Sequence, residues 1–110
     1  MIQINVTKIS GSNGAIWGTE SDDLNATLVR WDAGKGVDAH VNSAVDVVMT
    51  VDSGDGSITV DDELFQISSG SELVIPKGAL REITAGNDGI TYLNVHQRRP
   101  KLMPNMARQK

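Results

Sequence analysis

Cysteine is absent from this chain. That removes disulfides, thiolate metal sites and cysteine nucleophiles together. No apolar run approaches the roughly 20 residues of a membrane span, so no membrane partner is expected. The first residues, Met1-Ile2-Gln3-Ile4-Asn5, carry neither a basic segment nor an apolar core of the secretory kind, and a cytoplasmic protein is the expectation. No segment sustains a 3.6-residue period with capping residues at both ends, which argues against helices. Basic residues are scarce over most of the chain. Residues 1–97 hold Lys8, Arg30, Lys35, Lys77 and Arg81 against all 14 acids, a net of −9. An acidic body of this kind argues against a nucleic-acid face. The other five basic residues, Arg98, Arg99, Lys101, Arg108 and Lys110, form a tail suited to an acidic partner or to solvent.

What is present is strand after strand. At 110 residues the chain suits one domain with one core. Ile2, Ile4 and Val6 alternate with polar residues and suggest a short strand, and Ala15 to Gly18 a second. Leu24 to Trp31 is rich in β-formers and stops at Asp32-Ala33-Gly34. Val45 to Val51 is nearly continuously apolar, as a strand buried on both faces would be. Asp52-Ser53-Gly54-Asp55-Gly56 reads as a hairpin turn, and Ala85-Gly86-Asn87-Asp88-Gly89 as another. Between them lie short strands at Ser57 to Val60, Leu64 to Ile67, Leu73 to Ile75 and Leu80 to Thr84. Ile90 to His96 is the last. Short strands with turns every eight to twelve residues indicate an all-β sandwich or barrel. Residues 1–97 are expected to form the single domain and residues 98–110 the basic tail.

Two constellations stand out. Gly34 is followed after five residues by His40-Val41-Asn42 and after three more by Asp46. Gly70 is followed after five residues by Pro76-Lys77-Gly78 and after two more by Arg81. These resemble the two motifs of the cupin superfamily. The first motif there is Gly, five residues, His-x-His, three or four residues, Glu, and a glycine some six residues on. The second is Gly, five residues, Pro-x-Gly, two residues, His. Here Gly34, His40, Asn42, Asp46 and Gly54 fit with one extra residue before Gly54, and Arg81 stands where the last His would be. The resemblance covers about residues 26–97. It implies a small β-barrel, the double-stranded β-helix or jelly-roll form, and, since small cupins are commonly homodimers, a homodimer.

The departures carry the functional expectation. Cupins that bind a divalent metal use two His and the Glu of the first motif with the His of the second. Asn42 offers one neutral amide oxygen, a poor ligand beside imidazole. Arg81 offers no lone pair. The resemblance implies that Asp46 and Arg81 both project into the barrel, where the carboxylate needs a cation and Arg81 can supply it as a pair. Removal of Arg81 should then cost about 3–5 kcal/mol by leaving that carboxylate uncompensated. Val48 and Thr50, in step with Asp46, are expected to line the barrel. His96 shares its parity with Tyr92 and Asn94 and joins the site if that face is inward. Trp17 and Trp31 read as core or interface aromatics.

The leading expectation is therefore a small polar or anionic molecule held by His40, Asn42, Asp46, Arg81 and His96, with no catalytic residue, metal or other cofactor. A structural polar network in the same place is the bland reading of those residues. One alternative is a metal-dependent oxygenase or isomerase using His40, Asp46 and His96 with a divalent ion. Another is a non-catalytic interaction protein.

Overall fold

A computed structural model describes residues 1–98. The strands are β1 (Gly14–Glu20), β2 (Leu24–Trp31), β3 (Gly36–Val41), β4 (Val47–Val60), β5 (Glu63–Ser68), β6 (Glu72–Ile75) and β7 (Leu80–Gln97). Every strand pairing is antiparallel. The all-β expectation holds. Residues 99–110, most of the basic tail, lie outside the described residues. Arg98, its first residue, is tied to the β1–β2 turn by a 3.3 Å ion pair with Glu20 and by its amide to the Asp23 carbonyl.

Two of the expected turns are not turns. Asp52 to Gly56 lies within β4, and Ala85 to Gly89 within β7. Both strands run on through the glycine-rich segments, with register shifts at Val51/Ser53 and Gly54/Gly56. The first half of β4 pairs with the second half of β7, and these carry β6 on one side and β2 with β1 on the other. The second half of β4 pairs with the first half of β7, and these carry β5 and β3. Two strands thus serve both layers of a sandwich.

Glycine makes that crossing possible. Gly54 has φ +80°, and a Cβ there would sit 2.1 Å from the Gly89 carbonyl oxygen; one on Gly56 would sit 2.5 Å from that of Thr84. No side chain fits between backbones that approach so closely. The expectation of turns failed because glycine and Asp/Asn clusters mark bulges inside strands as well as reversals between them.

The core closes between the layers. Val29, Met49, Val51, Ile75, Ile90 and Tyr92 come from one layer and Ile58, Ile67, Ile83 and Ala85 from the other. The alternation in β4 is therefore opposite to the one expected. Val47, Met49 and Val51 point inward, whereas Val48 is half-buried and Thr50 exposed. The first expected strand is also absent: Asn5 caps a single 3₁₀ turn at Val6–Lys8, its side chain accepting the Thr7 amide. Among the described residues no helix is long and apolar enough to cross a membrane.

Gly54→Ala is expected to cost more than about 3 kcal/mol, since a Cβ must displace the β7 backbone. Gly70→Ala, also at positive φ but with open space around its Cβ position, should cost about 1–2 kcal/mol from backbone strain alone. Equal losses in denaturant titrations of the two variants would show that the crossing does not limit stability.

Candidate functional site

The site is built on the rung where β3 meets β7. His40 and Arg81 are register partners there. The Arg81 Nε–H donates to His40 Nε2 at 3.3 Å, and both residues are half-buried. His40 Nδ1 lies 3.0 Å from the Asp38 carbonyl oxygen. A carbonyl only accepts, so Nδ1 carries the proton and Nε2 turns its lone pair to the guanidinium. Asn42 follows just beyond the end of β3. Its Oδ1 accepts the amides of Ala44 at 3.0 Å and Val45 at 3.4 Å, and its own carbonyl accepts the Gly78 amide at 2.7 Å. The first motif is thereby fastened to the Pro76-Lys77-Gly78 turn of the second. His40, Val41, Asn42, Ser43, Ala44 and Arg81 line a concavity of about 350 Å³.

Asp46 is elsewhere. It is exposed, and its Oδ1 accepts the Lys77 amide at 2.8 Å. The expectation of an inward carboxylate is corrected: Val47, 2 % exposed, holds the inward register position, opposite His96 on β7 and Ile75 on β6. The reason is the period of a strand, in which one residue of slip exchanges the faces. The signal was in the spacing. Counting four residues after Asn42 reaches Val47 and leaves six before Gly54, so the one-residue surplus marked the wrong residue as the motif's carboxylate. The large destabilisation expected from an orphaned interior Asp46 loses its premise, because this carboxylate faces water.

Across the barrel, Tyr92, Asn94 and His96 share the inward parity of β7. Tyr92 is 1 % exposed, and its hydroxyl accepts the Trp31 Nε1–H at 3.0 Å. Burial pushes the Tyr92 hydroxyl above the usual tyrosine range, while the Trp31 hydrogen bond and the positive charge of Arg81 pull it back. The field of Arg81 thus reaches the opposite layer. His96 is half-buried, with Nδ1 2.7 Å from the Gln97 carbonyl, and it is not part of the His40 concavity. The structure therefore gathers His40, Asn42 and Arg81 and leaves Asp46 and His96 apart from them. Trp31 was legible only as a core or interface aromatic, and Tyr92 only by its parity with His96.

The donor set does not fit the superfamily's metal. Val47 replaces the carboxylate, Asn42 Oδ1 is committed to two amides, and Arg81 supplies a cation where a lone pair is required. Among the described residues no three His, Asp or Glu side chains cluster as a metal site.

No family model and no curated protein matches the sequence. Solved structures do. A cupin protein from Bacteroides fragilis aligns at 26% identity and TM-score 0.66, over 76% of this chain and 72% of that one. KdgF from Halomonas sp. aligns at 20% identity and TM-score 0.69, over 76% of each chain. The cupin domain of Cnp3 from Schizosaccharomyces pombe aligns at 14% identity and TM-score 0.75, over 87% of this chain and 73% of that one.

The chain has one tyrosine, so phenolate absorbance reads Tyr92 alone. Its titration midpoint is expected above that of a free tyrosine, and Arg81→Gln should move it higher by removing the cation. Because the folded value is raised, this group's contribution to stability is complete below the free-tyrosine range and is lost as pH rises through the folded value. A midpoint unmoved by Arg81→Gln would place the guanidinium away from the phenol.

Proposed function

We propose that this small cupin-fold protein binds a small anionic molecule at the His40–Asn42–Arg81 concavity, without a metal and without catalysing a reaction. One observation carries the reading: Arg81 brings a fixed positive charge to a concavity whose other lining residues are His40, Val41, Asn42, Ser43 and Ala44, with no carboxylate among them. A guanidinium on the wall of this concavity favours an anion over a cation there. The volume suits a small molecule. The planar fork of a guanidinium matches a carboxylate or phosphate.

Calorimetric titration with acetate, lactate, citrate and inorganic phosphate tests this. At least one is expected to give saturable heat, weakened tenfold or more by Arg81→Ala. Absence of saturable heat from all four would overturn the reading. The same preparation, purified without a polyhistidine tag, is expected to hold well under one equivalent of iron, manganese, nickel or zinc. Stoichiometric metal lost on His40→Ala would instead favour a metal-dependent enzyme.

We also infer a homodimer, supported by the outer face of the β6–β4–β7–β2 layer. Val74, Val48, Val95 and Ala26 are consecutive register partners across it, and Val74 is 70% exposed. An apolar row across four strands is costly to leave in water. Sedimentation should give a dimer for the native chain and a monomer for Val74→Lys; a native monomer would remove this inference.

A further inference from the structure

A second concavity, of about 460 Å³, lies over the end of the β2–β7 pair. Its walls are mostly apolar: Met1, Ile2, Leu24, Ala26 and Val95 line it, with Glu20 and Ser21. Met1, Ile2 and Leu24 are exposed, so the groove is open to water. An apolar surface of this kind asks for an occupant. The chain itself leaves the domain here. Gln97 is the register partner of Leu24. Arg98, the next residue, pairs with Glu20 at 3.3 Å, donates from Nη1 to the Ser21 carbonyl at 3.2 Å and from its amide to the Asp23 carbonyl at 2.8 Å. Glu20 and Ser21 belong to the groove wall, so the C-terminal segment starts from a point fastened to the groove.

We propose that residues 99–106 of the same chain dock in this groove, with Leu102 as the anchor against Leu24, Ala26 and Val95. Three observations select this occupant. The first is pattern. Pro100, Leu102, Pro104 and Met106 alternate with Arg99, Lys101, Met103 and Asn105, so an extended segment turns one wholly apolar edge to the groove. Pro100 has no amide hydrogen to carry the β7 ladder on, and it favours extended backbone before it. The second is charge. Glu20, Asp22 and Asp23 make the β1–β2 turn acidic, and Arg98 already meets it; Arg99 and Lys101 add two cations beside it. The third is reach. Leu102 lies four residues past Arg98, up to about 13 Å of chain, and Ala26 lies about 7 Å along β2 from the residue that Gln97 faces. A tethered segment holds an effective concentration of about millimolar, which a free competitor must exceed. A second copy centred on the groove would also set acidic turn against acidic turn. The segment covers the Ala26–Val95 end of the apolar row and leaves Val48 and Val74 to the dimer contact. It does not depend on the anion site.

Because the 110-residue chain has no cysteine, a pair of introduced cysteines reports without background. In the whole chain carrying Ala26→Cys and Pro104→Cys, mild oxidation is expected to give an intrachain disulfide, seen as a faster monomer band on a non-reducing gel. Adding Leu102→Ser should slow its formation about tenfold, since the anchor is lost. A rate unchanged by Leu102→Ser would mean chance collision of a tethered segment and would overturn the docking. Disulfide-linked dimers in place of the intrachain product would give the groove to the segment of a second copy and overturn it as well. So would the absence of any disulfide. Should the cysteine variants fail to fold, methyl NMR of the native chain decides: contacts between the Leu102 methyls and those of Ala26 or Val95 are expected, and their absence would remove the proposal.

Discussion

The pairing of β4 with β7 is the constraint on which the rest of the molecule depends. Each strand must belong to two layers, so the two must bend at the same level and remain paired through the bend. Gly54, Gly56 and Gly89 meet that requirement by removing the side chains that would otherwise collide with facing backbone. Once the crossing is made, the outer strands have fixed places: β6, β2 and β1 extend one layer, β5 and β3 the other. The apolar residues between the layers supply the drive, each fully buried Val, Leu or Ile contributing about 1.5–3 kcal/mol before entropy is charged. The position of Arg81 opposite His40 follows from where β7 begins relative to its bend. A loss at Gly54 would therefore be felt at the site as well as in the core.

Charge at the site is handled by distribution. A half-buried guanidinium is tolerable where acceptors and polarisable surfaces meet it. Arg81 has the His40 imidazole through Nε, and its field falls on a phenol held in place by Trp31. These two groups are neutral, and no carboxylate lines the His40 concavity with them; an internal Asp46 would have placed one there. The actual Asp46 instead fastens the β6–β7 turn by accepting the Lys77 amide, while Asn42 fastens the same turn from the other side through Gly78. Asp46 and Asn42 thus build the frame, and Arg81 lines the concavity.

The sequence was legible where a residue type has one physical use and obscure where it has two. Pro76-Lys77-Gly78 could hardly be other than a turn that ends a strand, and the two motifs in order implied the barrel. The glycine-rich segments at 52–56 and 85–89 were misread because a bulge and a reversal use the same residues. Asp46 was placed on the wrong face because a carboxylate near the expected spacing outweighed a one-residue surplus, and in a strand that surplus is the whole difference between inside and outside. Val48 and Thr50 inherited the same error. His96 and Asn94 were given the right parity, but parity carries no depth: it could not show that Asn94 Oδ1 ends without a partner or that His96 turns to the Gln97 carbonyl.

The substitutions at Val47 and Arg81 make sense as a pair. In the metal-binding pattern that the motifs resemble, a divalent ion and one carboxylate leave the site a net charge of about +1. Arg81 with Val47 leaves it the same net charge. Changing only the histidine position to arginine beside a retained carboxylate would have produced a self-neutralised ion pair, and changing only the carboxylate to valine would have left a metal short of a ligand. On the anion-binding reading proposed above, the two differences together keep an anion-attracting charge while exchanging the means. A metal holds its anion by coordination at an open position and can polarise it; a guanidinium holds it by directed hydrogen bonds and has no coordination site to offer. On that anion-binding reading, recognition would rest on the guanidinium, since both ring nitrogens of His40 are already engaged, by the Asp38 carbonyl and by Arg81.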